Sequence, residues 1–464
     1  MLGSIINTFS NCFKIPELKS RIGFTFLLLG ICRLAAYIRV PGLNSHALTE
    51  YLSQHAGGSG GVLNMYSLFT GGALENCAVG ALGIMPYISA TIVMQLLTAV
   101  VPSLSKLARE DNGRVKIIKY SRYLTVLLCI GQGFFMAYSW ENPSTIFSGF
   151  TGDLVVYQNI WWYRFQTVLI LTTGTLLLMW MGEQITERGI GNGISLVITI
   201  GILARLPAGF QALLDMFFPP AGVERTYNFG HAIALVLLLV AVVAGVIAVT
   251  QAQRKIPVQY AQRAVGRKMF SGGTSFLPLR LNFAGVMPII FAQAILMVPQ
   301  QLFSRIGTNF PSFRFLTNIS RALTEDTFTY IVIYSLMILF FSYFWTATQF
   351  NELQIADDLK KNGGYVPGVR PGQATSNYLH NAMTRITLAG AVFLTVIAVI
   401  PIILNRQMHI PPAVGTFFGG TSVLILVGVL LDTMRQMESH LMMRHYDGFL
   451  KGGRGGGSRL RGRF

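Results

Sequence analysis

The sequence predicts an all-α integral membrane protein with ten transmembrane helices in two five-helix halves. Two observations support this prediction. Of the 464 residues, 52% are hydrophobic and only 12% are charged, whereas soluble domains are about 25% charged. A chain this apolar could not cover its surface in water, so lipid must solvate much of it. In addition, ten apolar stretches are long enough to cross the ~30 Å hydrocarbon layer as helices.

The ten stretches are centred near residues 31, 90, 130, 172, 203, 240, 293, 337, 394 and 427. The sixth and eighth, which contain His231–Thr250 and Tyr330–Thr346, are the clearest, whereas the first, second and fifth are rich in glycine, proline or arginine. Five crossings per half make the second half enter the membrane from the opposite side. Structural repeats would therefore be inverted, with a pore or site at their interface.

Basic residues predict the orientation. If the N-terminus is cytoplasmic, one face holds both termini and the loops 102–122, 183–192, 251–282 and 349–385. Together with the adjoining helix ends, this face carries 27 of the 36 Lys and Arg residues, the opposite face carries seven, and Arg33 and Arg164 lie within span ends. The positive-inside rule therefore predicts that both termini are cytoplasmic.

The predicted division of the chain follows the spans. It comprises a cytoplasmic N-terminal segment (1–21), a first half (22–214), an external hinge loop (215–229), a second half (230–437) and a basic, glycine-rich cytoplasmic tail (438–464).

Two of the cytoplasmic loops and the tail have distinctive patterns. Ile256, Val258 and Tyr260 alternate with more polar residues, which predicts a strand or hairpin in the 251–282 loop. The 349–385 loop is helical in its first part and is then broken by glycines and prolines. The glycine-rich end of the tail, from Lys451, is expected to be disordered.

Motifs for enzymatic chemistry are absent from the sequence. There is no GxxxxGK[ST] loop, no HExxH and no CxxC, and the seven histidines are scattered. The Gly-x-Gly string in Gly189–Ser195 opens a membrane helix and follows no strand, so it is a weak dinucleotide signal. We therefore predict no enzymatic activity, no cofactor and no metal site.

Several blocks resemble the SecY family, and they occur in the family's order from about residue 20 to 445. Leu82–Thr98 (LGIMPYISATIVMQLLT) is similar to the second transmembrane helix and follows a segment similar to the family's plug region. Further matching blocks are ITERGIGNGIS (Ile185–Ser195), LPLRLNFAGVMPIIFA (Leu277–Ala292), YVPGVRPGQAT (Tyr365–Thr375), MTRITLAGA (Met383–Ala391) and FFGGTS (Phe417–Ser422).

The resemblance implies an hourglass channel that passes unfolded secretory chains and releases transmembrane segments sideways into lipid. Its narrowest point would be a ring of aliphatic side chains. Such a ring makes no lasting hydrogen bonds to a moving peptide, and a narrow apolar constriction tends to dewet and so resists ions. By spacing alone, a membrane isoleucine more often faces lipid or packs in a core. Carried over motif by motif, the ring consists of Ile84, Ile88, Ile198, Ile202, Ile290 and Ile425.

The resemblance also implies a plug within residues 64–80, and a lateral gate between the second and third spans on one side and the seventh and eighth on the other. Paired glycines would permit a short, displaceable plug, although an ordinary re-entrant loop fits the same sequence. The gate's polar residues could hydrogen-bond weakly across it, or simply pack between helices. The plug residues are Asn64, Gly71, Gly72, Ala73 and Leu74. The gate residues are Ser89, Thr91, Gln95 and Asn282.

Basic loop residues match family positions that meet the ribosome or the SecA motor. Positive-inside topology alone is the alternative explanation. The family stretch FNPxExADNLKK reads FNELQIADDLKK here, with Glu352, Gln354 and Asp358 departing from it, which leaves the local docking surface open. The docking residues are Arg254, Lys255, Arg263, Arg267, Lys268 and Arg370.

The implied partners are SecE-type and SecG-type membrane subunits, a SecA-type ATPase, the ribosome, signal peptides with nascent secretory or membrane proteins, and membrane lipid. The implied location is the bacterial plasma membrane.

Two other function classes fit the composition less well. A secondary transporter also favours inverted repeats, but it usually needs ionisable groups at mid-membrane, and Arg33 is the main such group here. An intramembrane enzyme would need paired catalytic residues, which the spans lack. Saturable, ion-coupled uptake of a small solute would favour the transporter.

Overall fold

The computed structural model describes residues 15–44, 48, 70–110, 113–143, 154–157, 159–218, 227–260, 263–265, 268–270, 273–309, 314–324, 327–408, 410, 414–415 and 421–452. Within these ranges the protein is largely helical, with a small sheet at one end.

Among the described residues, the first half contains seven helices. They are α1 (Pro16–Leu34), α2 (Met85–Val100), α3 (Pro102–Arg109), α4 (Gly113–Glu141), α5 (Ile160–Arg188), α6 (Gly193–Ala204) and α7 (Leu206–Phe217). Proline at the first or second position starts α1, α2, α3 and α7, where its missing N–H costs no hydrogen bond. The side chain of Asn192 caps α6 by accepting from the backbone N–H groups of Ile194 and Ser195.

In the part of the second half that the structure describes, there are seven more helices and five strands. The helices are α8 (Phe229–Gln251), α9 (Met287–Asn309), α10 (Arg314–Ala322), α11 (Phe328–Gln349), α12 (Glu352–Lys361), α13 (Gln373–Gln407) and α14 (Thr421–Gly452). The strands are β1 (Gln253–Tyr260), β2 (Arg263–Val265), β3 (Lys268–Phe270), β4 (Thr274–Arg280) and β5 (Gly364–Tyr365).

Each of the ten predicted spans coincides with a helix. Seven helical stretches among the described residues are long and apolar enough to cross a membrane, including Gly193–Phe217, in which α6 and α7 run together. The other three spans correspond to α1, α2 and α14. Helix α2 has only 16 residues and bends by 102° into α3, whereas charged residues lower the hydropathy of α1 and α14.

The two halves have the same pattern of neighbours. In the first half α2, α4 and α5 pack in succession, and α1 lies against α5 and α6. In the second half α9, α11 and α13 pack in succession, and α8 lies against α13 and α14. The halves meet along two seams, α2 with α9 and α6 with α14. This arrangement matches the predicted pair of five-helix repeats.

A three-stranded antiparallel sheet joins the two large loops of the second half. Strand β1 pairs with β4 from the same loop and with β5 from the 349–385 loop. Ile256 and Val258 are buried, and Ile256 packs on a small core with Leu279 and Leu379. The predicted strand character of this loop is confirmed. The end of the protein that carries this sheet is called the sheet side below.

Some element boundaries differ from the predictions. Helix α1 begins at Pro16, inside the predicted N-terminal segment, and α7 continues to Phe217, inside the predicted hinge loop. Helix α14 continues to Gly452, so the tail that was predicted to start at 438 begins as helix. Residues 438–451 contain one glycine, Gly448, and many good helix formers. The glycine-rich residues 453–464 lie outside the described residues.

Candidate pore and plug

The six isoleucines assigned to the ring come from four helices and share one environment. Ile84 caps α2 and Ile88 lies in its first turn, the second pair lies on α6, and single residues come from α9 and α14. Each has at most 4% of its surface exposed, and all belong to the same hydrophobic cluster. Because these side chains are buried, they do not face lipid. Their burial is consistent with a closed constriction and equally with ordinary core packing.

A cavity of about 470 Å³ lies on the sheet side of these isoleucines. Its lining includes Ser195, Met287 and Val429, which stand three or four residues from Ile198, Ile290 and Ile425 on the same helices. One helical turn separates each pair. The rest of its lining includes the polar residues Asn192, Asn282, Asp432, Arg435 and Gln436. A polar vestibule, as this cavity is called below, therefore lies one helical turn from three of the ring positions.

The segment 70–80, called the plug segment here, lies between α1 and α2. Ala73 and Leu74 are buried. Gly71 and Gly72 have φ angles of +63° and +86°, a conformation that glycine adopts without steric cost. A Cβ on Gly71 would lie 2.9 Å from the Cα of Gly201, so the segment packs directly against α6 beside Ile202. Asn64 lies outside the described residues.

Backbone hydrogen bonds tie the later part of the plug segment to the chain after α1. Val79 N–H donates to Ile38 C=O at 2.8 Å, and Val40 N–H donates to Cys77 C=O at 2.9 Å. The earlier part is contacted by two arginines instead. The Arg33 guanidinium donates to Gly71 C=O at 2.6 Å, and Arg205 forms an ion pair with Glu75. In the sequence Arg33 stands out only as an isolated charge in a span, and no local pattern predicts that Glu75 pairs with Arg205.

Three of the predicted gate residues lie on α2 and Asn282 lies just before α9, and these two helices pack against each other. Thr91 donates its hydroxyl to Tyr87 C=O at 2.9 Å within its own helix, and the Asn282 amide donates to Gly285 C=O at 2.8 Å in the turn before α9. Their hydrogen bonds are thus local. Ser89 is half-buried, and the Gln95 Oε1 atom is buried with no hydrogen-bond partner.

One polar contact near the ring was not predicted. Gln293 on α9 donates its amide to the Thr421 hydroxyl on α14 at 2.5 Å. The two residues lie three and four positions from Ile290 and Ile425, so this bond joins the two helices one turn from the ring. The Gln293 Oε1 atom is buried without a partner. In the sequence, the feature that could have indicated this contact is a glutamine inside an otherwise apolar span.

The docking residues are distributed over the sheet and its hairpin. Arg254 and Lys255 are exposed on β1, and Arg370 is exposed just after β5. Arg254 and Lys255 are neighbours in β1 and therefore point to opposite faces of the sheet, whereas β5 pairs with the other end of β1, at Gln259 and Tyr260. Arg263 and Lys268 lie in the paired strands β2 and β3. Arg267 lies outside the described residues.

The family comparison agrees with the motifs found in the sequence. The model of the SecY family matches residues 78–434. "Protein translocase subunit SecY" of Chlamydia trachomatis is 41% identical over 452 residues, which cover 96% of this chain and 98% of the relative.

Solved structures of low sequence identity share the fold. "The structure of a protein conducting channel" covers 90% of this chain and 91% of its own, with a TM-score of 0.61 and 17% identity. A structure described as "The plug domain of the SecY protein stablizes the closed state of the translocation channel and maintains a membrane seal" gives the same coverage and identity, with a TM-score of 0.58. The predicted ten-helix membrane fold is confirmed.

Proposed function

The chain belongs to the SecY family, and we propose that it is the central channel subunit of a Sec translocon. In this role it passes unfolded secretory polypeptides across the membrane and releases transmembrane segments sideways into lipid. It is a multi-pass membrane protein and a conduit rather than an enzyme. The energy comes from the ribosome or a SecA-type ATPase that docks on the sheet side.

One observation carries the proposal. The six isoleucines that match the family's ring are all buried in one cluster, between a polar vestibule on the sheet side and the plug segment, which packs against α6 beside Ile202. An apolar constriction between a polar vestibule and a displaceable plug suits a channel that must pass peptides and still block ions. A transporter would instead need a polar binding site at this depth.

The lateral exit corresponds to the seam between α2 and α9. Thr91 and Asn282 already bond within their own segments, so parting these helices would break neither of these two hydrogen bonds. The local character of these two bonds supports the seam as the gate. The remaining parts of the proposal are SecE-type and SecG-type partners, a bacterial plasma membrane location and cytoplasmic termini.

A reconstituted translocation assay tests the function. The chain, with SecE-type and SecG-type subunits, is placed in proteoliposomes with a SecA-type ATPase, ATP and a urea-unfolded preprotein. We expect protease-protected preprotein, and none with a matched preprotein that lacks its signal peptide. Failure to protect any preprotein, together with saturable, ion-coupled uptake of a small solute, would support the transporter instead.

A further inference from the structure

We propose that Arg33 and Arg205 form a latch that holds the plug segment in its resting place, and that movement of α6 releases it. This inference rests on the proposed function, because it assigns the residues that position the plug. Its starting point is the two arginine contacts, which come from different helices and reach the same eleven-residue segment (70–80).

The first contact holds the backbone of the plug segment. Arg33 lies in the last turn of α1, and its Nη1 atom donates to Gly71 C=O at 2.6 Å. Its Nη2 atom donates to the Tyr37 hydroxyl at 3.1 Å, and its guanidinium lies 4.7 Å from the centre of the Tyr37 ring. Tyr37 thus orients the guanidinium, whose planar fork presents a separate nitrogen atom to each of the two acceptors.

The second contact is an ion pair with the plug segment's acidic residue. Glu75 and Arg205 have only 28% and 23% of their side-chain surface exposed. A pair that is three-quarters buried is screened much less than a surface pair. Breaking it would leave a poorly solvated charge on each side, so the pair favours the resting position of the plug segment.

The position of Arg205 links this ion pair to the ring. Arg205 directly follows α6, three residues after Ile202, and lies before α7. The same helix packs against Gly71 at Gly201. A polypeptide that widens the ring by pushing Ile202 outward would therefore carry Arg205 away from Glu75. Release of the plug segment would follow occupation of the ring.

The test compares resting anion conductance of the assembled complex in planar bilayers, with no preprotein present. We expect the Glu75→Gln and Arg205→Gln variants each to raise the open fraction about fivefold to tenfold, as the loss of a partly buried ion pair implies. The charge-swapped double variant Glu75→Arg with Arg205→Glu should return to within about twofold of the unmodified complex, because opposite charges again face each other.

A matched control is Glu110→Gln, since Glu110 forms a more exposed contact with Lys116 at 3.9 Å and lies far from the plug segment in sequence. Its resting conductance should not change. For the first contact, Arg33→Lys keeps the charge but loses the fork, and we expect it to raise the open fraction as well.

The outcomes separate the latch from the function. If the Glu75→Gln and Arg205→Gln variants conduct like the unmodified complex, and these variants and the unmodified complex all translocate preprotein, the latch is wrong but the proposed channel function stands. If the single variants leak but the charge swap leaks equally, the ion pair is not the cause, and the latch is again wrong. If the unmodified complex translocates no preprotein, the proposed function itself fails.

Discussion

The thiol of Cys77 can report whether the plug segment has left its resting place. Cys77 lies within this segment, between the first two membrane helices, and none of its surface is exposed. Burial raises the pKa of this thiol to about 12 from an ordinary 9.0, while the nearby charge of Arg39 opposes part of the rise. A higher pKa keeps the thiol protonated, and the thiolate is the reactive form.

The expected size of the effect follows from this rise. Near neutral pH, three pKa units lower the thiolate fraction about a thousandfold, and burial also blocks the reagent. We therefore predict at least a hundredfold slower maleimide labelling in the resting complex than in the same complex holding a stalled secretory chain. The assay is mass-resolved labelling at pH 7.5 in a Cys12→Ser background.

Cys129 serves as the internal control, because it is buried in helix α4, and it should stay unlabelled in both states. Cys32 is unsuitable as a control, because it lines a small pocket together with Thr70 and Gly80 of the plug segment. Labelling of all three cysteines would indicate unfolding. Rapid labelling of Cys77 in the resting complex, or continued protection while a chain is crosslinked in the ring, would refute a buried plug segment that moves on engagement.

Three further predictions concern other parts of the site. Gly71→Ala should raise resting anion conductance about tenfold, because a left-handed φ costs a non-glycine residue about 1–2 kcal/mol and the new methyl group would meet Gly201. The control is Gly30→Ala, because Gly30 has open space around it. Equal conductance in both variants would contradict this reasoning. Thr421→Val should lower the free energy of unfolding by about 1 kcal/mol, measured by thermal unfolding in detergent. Adding Gln293→Leu should restore most of this loss, because it removes the polar group left without a partner; no recovery would contradict the assigned contact. Replacing the docking residues Arg267, Lys268 and Arg370 with glutamate should reduce ribosome co-sedimentation, while insertion of the protein into the membrane continues. Undiminished co-sedimentation would contradict their docking role.

The membrane spans could be predicted because their signal is local. Each stretch must be apolar over its own length, so the composition around His231–Thr250 or Tyr330–Thr346 is enough to locate a helix. Helix ends were less predictable. Helix α14 continues to Gly452 because its later residues combine polar side chains with good helix formers such as Leu441, Met442 and Met443, and hydropathy does not detect a helix that leaves the membrane.

The ring residues could be proposed only from the family motifs. Spacing placed Ile84 with Ile88, and Ile198 with Ile202, on common helix faces, but it could not decide which way those faces point. The structure adds that all six isoleucines are buried together, which depends on how four helices from both halves pack.

The polar contacts around the ring could not be predicted because their partners are far apart in the sequence. Gln293 and Thr421 are 128 positions apart, and Arg33 reaches a backbone carbonyl 38 positions away. Each residue alone fits several environments. Only tertiary packing brings these groups within hydrogen-bond distance.

Crosslinking of a stalled secretory chain tests the central claim most directly. Cysteine replaces Ile88 and Ile290 in turn, the polypeptide carries one cysteine in its translocating region, and Arg254→Cys on the exposed strand β1 is the control outside the ring. We predict disulfide-linked adducts at both isoleucine positions, lost when the chain is released, and none at the control. If neither isoleucine position reacts while the chain is demonstrably engaged, the six isoleucines do not line the path of the polypeptide.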